Sequence, residues 1–288
     1  MTTCIACQKK SVEEFLDLGT TALANQFVTR EEAERGEPRF PLRVGYCHDC
    51  SHVQLTEHVD PAVMFTNYLY VPSVSMTLTD HLRSVASMVA ERFALGPNHF
   101  ALDIGSNDGT LLTGYKPYGV KTLGVDPAEN LVERAQKAGI ETYTAFFGLQ
   151  TAKDIRQKYG PANAVTATNS FPHIPDLDDY LSGVQHVLAP QGAFVLEAHY
   201  LVDMIQTAAF DTVYHEHVSF WSLTAMIPLF ARYGLAPFRA EHLDIHHGQL
   251  RVFVGRENEH EQDSTVREIL DREQAIQIPG WETSQVFA

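Results

Sequence analysis

The sequence predicts an α/β chain, with a mostly parallel, doubly covered sheet behind a small metal-stapled N-terminal unit. Three observations carry that expectation. Apolar strand-like runs alternate with helical patterns from about residue 98 to 256. The first of those runs ends in a glycine-bearing loop, Asp103-Ile-Gly-Ser-Asn-Asp-Gly109. Two Cys-x-x-Cys pairs, Cys4/Cys7 and Cys47/Cys50, lie within the first 50 residues.

The 288 residues are enough for one large domain and a small one. A hydrophobic fraction of 44% and a charged fraction of 20% are ordinary for a globular protein. The formal net charge of -15 argues against nucleic-acid binding, which draws on cationic neutralisation of phosphates. No apolar run reaches the roughly 18 residues that span a bilayer. Met1-Thr-Thr-Cys-Ile-Ala-Cys7 lacks the basic start and apolar stretch of a secretory signal, so a cytoplasmic location is expected.

Residues 1–60 form the first unit. Its apolar pieces, such as Phe40-Pro-Leu-Arg-Val-Gly-Tyr46, are short, and a helical pattern arises only around Glu31–Arg35. So small a unit buries little core, and a metal staple compensates. Residues 61–97 read as a helical linker or lid. Leu82, Val85, Ala86, Val89 and Phe93 share one helical face, and Gly96-Pro97 ends it.

The alternation then begins. Strands are expected at His99–Ile104, Val120–Val125, Ile140–Tyr143, Ala162–Thr168 and Ala193–Ala198. Helices are expected at Thr110–Tyr115, Pro127–Ala138, Ala152–Tyr159 and Leu177–Leu188. Nearly continuous apolar strands of this kind are buried on both faces. A helix around Ser222–Tyr233 precedes two last strands, Leu235–Glu241 and Leu250–Gly255, which suit an antiparallel edge. Residues 98–256 make the cofactor-binding domain, and 257–288 a helical tail with its helix at Glu261–Ala275.

Ligands of an open parallel sheet bind beyond the carboxyl ends of its strands. Gly105 and Gly109 let the first loop turn tightly there. A dinucleotide fingerprint needs G-x-G-x-x-G, but Asn107 and Thr110 occupy its second and third glycine positions. No Gly-Lys-Ser/Thr follows, which excludes a P-loop. The loop resembles motif I of the class I methyltransferases. That resemblance implies S-adenosylmethionine as cofactor, surrounded by Asp103, Gly105, Asn107, Asp108 and Gly109. Asp126, which ends the second strand 23 residues after Asp103, suits the ribose hydroxyls. Phe146 and Phe147, after the third strand, suit the adenine.

Cys4, Cys7, Cys47 and Cys50 are the only cysteines. In a reducing compartment two such knuckles read as four thiolate ligands of Zn²⁺ rather than as two disulfides. A site closed by four cysteines leaves no open position, so the zinc is expected to be structural.

Two further segments follow strands at the same edge: Asn169-Ser-Phe-Pro-His173 and Tyr214-His-Glu-His217. Together with the cysteine knuckles and Asp-Ile-Gly-Ser-Asn-Asp-Gly, they make the chain resemble, from Cys4 to about Arg256, the zinc-containing sugar C-methyltransferases of antibiotic deoxysugar biosynthesis. The resemblance implies methylation of a carbon beside the ketone of a nucleotide-linked deoxy-4-ketosugar. It places Asn169, His173, Tyr214, Glu216 and His217 in the sugar site, with Tyr68 as a further substrate contact. It also implies a further C-terminal domain, which would begin near Trp281–Ala288. Without such a domain, a non-sugar natural-product or carrier-bound substrate methylated on C, O or N is the alternative.

Carbon must first become a nucleophile. A C–H beside a carbonyl loses its proton to a base, and an ordinary histidine titrates near about 6.5. His217 is the expected base, with Glu216 fixing its tautomer or meeting the sugar. His173, Tyr214 and Asn169 are expected to orient the sugar and steady the enolate. The bland readings differ. His246-His247 reads as a turn before the last strand, Phe220 and Trp221 as packing, and His215 with His217 as a conceivable second metal pair on an extended segment.

Overall fold

A computed structural model describes residues 1–245, 248–276 and 278. Its N-terminal unit contains β1 (Val12–Thr21), α1 (Arg30–Arg35), β2 (Phe40–Cys47) and β3 (Val53–Leu55), the strands pairing antiparallel in that order. Strand β1 has no counterpart in the sequence reading. It is mostly exposed, and its register against β2 slips twice, so it never shows a clean two-residue period.

The first cysteine pair precedes β1, and the second joins β2 to β3. Gln8 and Ser51, just past each pair, take left-handed φ of 63° and 61°, which curls each knuckle back on itself. The Cys4–Cys50 and Cys7–Cys47 sulfurs are 3.6 Å apart, and all four lie within 4.8 Å of one another. No disulfide joins them. A tetrahedral zinc with bonds of about 2.3 Å sets its ligand sulfurs about 3.8 Å apart, so the cluster fits that ion.

Next come α2 (Pro61–Phe65) and α3 (Met76–Arg92). The Ser75 hydroxyl caps α3 by accepting from the Leu78 amide, and Leu78, Leu82, Val85, Ala86, Val89 and Ala90 bury its inner stripe. The alternating region follows. Its elements are β4 (Phe100–Ile104), β5 (Lys121–Asp126), α4 (Glu129–Lys137), β6 (Thr142–Thr144), α5 (Leu149–Tyr159), β7 (Ala162–Thr168), α6 (Leu177–Val187), β8 (Leu188–His199), α7 (Leu201–Thr207), β9 (Ser219–Phe220), α8 (Leu223–Ala231), β10 (Leu235–Leu243), β11 (Gln249–Arg256) and α9 (Ser264–Ala275).

The main sheet runs β10-β11-β8-β7-β4-β5-β6. Strands β6, β5, β4, β7 and β8 are parallel, and β11 is antiparallel to both β8 and β10. The expected edge hairpin is therefore present, but its second strand lies inside and its first lies outside. Between β4 and β5 the expected helix is a 3-10 run, Leu111–Tyr118. Pro117 sits inside that run, and a Cβ on Gly114 would meet the α3 backbone at 2.4 Å. Helix α7 is absent from the sequence reading, and so is the two-residue strand β9. His246, His247 and the segment 279–288 lie outside the described residues.

Strand β9 matters beyond its length. It adds to the edge of β3, pairing Val53 with Phe220 and Gln54 with Ser219. The Leu201 amide donates to the Trp221 carbonyl, which ties the same segment to the end of β8. The two sheets thus share one continuous segment. Glu273 of α9 closes the start of α8, accepting from the Leu223 and Thr224 amides at 2.7 and 2.8 Å. Glu197 on β8 is fully buried beneath the sheet's end, held by His81 and Arg251. Among the described residues no helix is long and apolar enough to cross a membrane.

Structural zinc contributes on the order of 10 kcal/mol to small modules. Stripping metal with a strong chelator is expected to lower the thermal midpoint and to open residues 1–60 to limited proteolysis. An unchanged midpoint and cleavage pattern would show that the four thiols hold nothing structural.

Candidate active site

Strand β4 is flanked by β5 on one side and β7 on the other, so the connections diverge at its carboxyl end and leave a crevice. A cavity of about 830 Å³ occupies it. Asp103, Gly105, Asn107, Asp108, Asp126, Phe146, Phe147, Asn169, His173, Tyr68, Tyr214 and His217 all line this one cavity. Two candidates do not. Gly109 turns against Ile140, whose Cδ1 a Cβ there would meet at 2.7 Å. Glu216 lies behind the wall formed by Asn25 and Tyr68.

The cofactor side is built from the first loop. Gly105, Asn107 and Gly109 all have positive φ, between 50° and 76°. Asp126 accepts from the Asn107 amide at 2.8 Å and the Ala128 amide at 2.9 Å, which fixes its carboxylate at the end of β5. The Asn107 side chain donates to the Tyr70 carbonyl, covering the loop where a pyrophosphate would approach. Burial pushes the Asp103 carboxyl up to about 7, against the opposing Thr166 hydroxyl bond. The buried Ser106 hydroxyl has no hydrogen-bond partner among the described residues. Phe147 stands edge-on to Tyr180, and Phe146 is 46% exposed at the mouth.

Among the described residues the wall contains no lysine or arginine, and around the first loop it carries Asp103, Asp108 and Asp126. Such an acidic set repels a dinucleotide's phosphates. It suits a ligand with a sulfonium, an amine and ribose hydroxyls. The residues fit S-adenosylmethionine.

The opposite side centres on His217. Tyr214–His217 is a tight turn, closed by the His217 amide on the Tyr214 carbonyl, and not the extended segment on which His215 and His217 would share a side. The His217 Nδ1 lies 2.7 Å from the Thr212 carbonyl, which can only accept, so Nδ1 carries the proton. That leaves Nε2 with its lone pair toward the Tyr214 hydroxyl at 3.0 Å. Burial holds the His217 pKa well below the usual histidine range, with His173 and His199 adding to the effect. Burial likewise pushes His173 down to about 3. The three imidazoles cluster, with His217 at 5.3 Å from His173 and 4.6 Å from His199 between ring centres.

Thr212, not Glu216, fixes the His217 tautomer. Glu216 instead accepts from the Asn25 side chain and the Tyr68 hydroxyl. His215 turns away from His217, its Nε2 3.2 Å from the Phe40 and Pro41 carbonyls. Among the described residues only the four cysteines are placed to share a metal. Phe220 and Trp221 are buried packing, as expected.

Four wall or support residues escaped the sequence reading: Asn25, His199, Thr212 and Gln249. His199 was detectable, since it ends a parallel strand at the ligand-binding edge. Asn25 was not, because 191 positions separate it from Glu216. Gln249 donates to the Asn169 side chain across the sheet, a contact that only the β8–β11 register creates.

Comparisons with known proteins agree with this architecture. A family profile described as "Putative zinc binding domain" matches residues 4–65, and one described as "Methyltransferase domain" matches residues 80–239. The chain is 34% identical to the C-methyltransferase NovU of Streptomyces niveus over 286 residues, covering 99% of this chain and 68% of NovU. The solved structure of PH0226 from Pyrococcus horikoshii superposes with a TM-score of 0.52 at 14% identity, covering 69% of this chain and 97% of that one. An S-adenosylmethionine-dependent methyltransferase from Clostridium acetobutylicum superposes with a TM-score of 0.50 at 13% identity, covering 62% and 92%. These two share the fold.

The histidine cluster has a pH signature. His173 is neutral when folded and free to protonate near 6.5 when unfolded, so stability is lost as pH falls below 6.5. Asp103 acts oppositely, holding its proton in the fold up to about 7. Only a difference between proteins isolates the histidine. From pH 6.5 to about 5, the parent should lose up to about 2 kcal/mol more unfolding free energy than His173→Asn. Equal losses in urea titrations would mean that His173 is not held neutral.

Proposed function

We propose, from the premise that the chain belongs to the S-adenosylmethionine-dependent methyltransferases with an N-terminal zinc-binding domain, that it methylates the carbon beside the ketone of a nucleotide-linked deoxy-4-ketosugar. The observation that carries this reading is the Thr212–His217–Tyr214 chain at the cavity wall. It presents a neutral imidazole of fixed tautomer, its lone pair reached through a phenol. A carbon acid needs such a base, and 34% identity to a C-methyltransferase over nearly the whole chain supports carbon as the acceptor atom.

S-adenosylmethionine, when bound, supplies an electrophilic methyl group. Asp103, Asn107, Asp108 and Asp126 would hold it, with Phe146 and Phe147 flanking the adenine. The protein's own work is on the acceptor. The C–H beside the ketone breaks, its electron pair moves toward the ketone oxygen, and its proton is bound for His217 Nε2. The Tyr214 hydroxyl lies in that path and relays it. Neutral His173 and the Asn169 amide act as donors toward the developing oxyanion. Holding these partners in register supplies much of the acceleration.

Charge limits what enters. With no lysine or arginine among the described residues of the wall, the sugar occupies the cavity and the diphosphate stays outside it. This favours a neutral ketone over a free acid as acceptor.

The test is mass spectrometry of a dTDP-4-ketosugar incubated with protein and S-adenosylmethionine. One added methyl on carbon is expected. His217→Asn should lower turnover at least about 100-fold while S-adenosylmethionine binding by calorimetry stays near normal. Near-normal turnover in His217→Asn, with His173→Asn inactive, would move the base to His173. No product with any nucleotide ketosugar would sink the substrate assignment.

A further inference from the structure

We propose that Asn25 is a positioning residue, through which the zinc-bearing unit sets the protonation geometry of Glu216 and so which face of the Tyr68 hydroxyl the cavity meets. This goes beyond the function proposed above and does not depend on the identity of the acceptor.

Asn25 Nδ2 lies 2.7 Å from Glu216 Oε1, and the Tyr68 hydroxyl lies 2.8 Å from Oε2. Glu216 is 4% exposed. An amide N–H only donates, so Oε1 must keep its lone pair whatever the charge on Glu216. Any proton on this carboxyl therefore sits on Oε2, against Tyr68.

Two states follow. With Glu216 ionised, the Tyr68 hydroxyl donates a hydrogen bond to Oε2 and shows an oxygen lone pair to the cavity it lines. With Glu216 protonated, Oε2 donates and the Tyr68 proton turns toward the cavity. A bond to a charged acceptor is stronger than one to a neutral acceptor, so Asn25 favours the first state. Burial opposes it, raising the Glu216 pKa, and the Tyr68 and Asn25 bonds pull it back.

The hold is built rather than incidental. Asn25 lies between β1 and α1, two residues after Leu23. Leu23 packs with Val59, Met64 and Phe65 in a small apolar cluster that also seats Tyr68. One cluster thus places both donors. The other titratable groups facing this carboxyl are the Tyr214 hydroxyl and, beyond it, Tyr70. His215 and His217 flank Glu216 in sequence but point to the backbone carbonyls of Phe40, Pro41 and Thr212.

The experiment is carbon NMR of the full chain labelled at glutamate carboxyl carbons, with the Glu216 signal assigned by its loss in Glu216→Gln. Asn25→Leu keeps the volume and removes the donor. The Glu216 midpoint should rise by about one pH unit in Asn25→Leu, with the thermal midpoint little changed below that titration and lowered by a few degrees above it. An unchanged Glu216 midpoint would overturn the proposal. A second measurement needs no variant: the Asn25 side-chain amide signal of the wild-type chain should titrate at the same midpoint as the Glu216 carboxyl. An Asn25 amide that ignores that titration would also overturn it, even if Asn25→Leu failed to fold.

Discussion

The pairing of Ser219–Phe220 with Val53–Gln54 is the constraint on which the rest of the site depends. It is only two residues long, yet it is the point where the sheet of the N-terminal unit and the main sheet share one segment. The chain leaves β8, turns through α7 and must arrive at β3 within a fixed span. The Tyr214–His217 turn is the last stretch before that arrival. The Leu201–Trp221 bond closes the segment that carries it, and the β3 edge holds the chain just after it. Zinc enters the argument here. The four thiols clamp the loop before β1 to the turn between β2 and β3, and β2 supports β3.

Charge organises the cavity as strongly as shape does. Asp103, Asp108 and Asp126 surround the first loop, and the neutral imidazoles of His173 and His217 stand across the cavity from them. Burial moves both groups the same way, toward their uncharged forms: Asp103 up, His173 and His217 down. A low-dielectric cavity with fixed dipoles is where a developing enolate gains most from aligned donors. The tautomer of His217 is likewise a product of the fold. Thr212 is close in sequence, but only the tight turn brings its carbonyl beneath Nδ1.

Much of this was legible in the sequence, because it is local. Apolar runs gave the five parallel strands, since strands buried on both faces need little else. The cysteine knuckles and the Asp103–Gly109 loop carry their chemistry within seven residues or fewer. What was not legible is what depends on register and on long separations. Strand β1 is too exposed to show a period. Strand β9 is too short to show one, and its meaning lies in its partner. Glu216 was expected at the acceptor and instead stands behind Tyr68 and Asn25. No reading of Tyr-His-Glu-His distinguishes those positions, because a turn and an extended segment point its side chains differently. His199 is the exception: the strand-end rule applied to it.

The central claim is that the neutral His217–Tyr214 pair removes a proton from carbon. Proton NMR in D₂O reads that step directly, using dTDP-4-keto-6-deoxyglucose with S-adenosylhomocysteine in place of the methyl donor. The account predicts loss of the proton signal from a carbon beside the ketone, with the exchange abolished in His217→Asn. No exchange above the protein-free rate, in protein shown by calorimetry to bind S-adenosylhomocysteine, would contradict it.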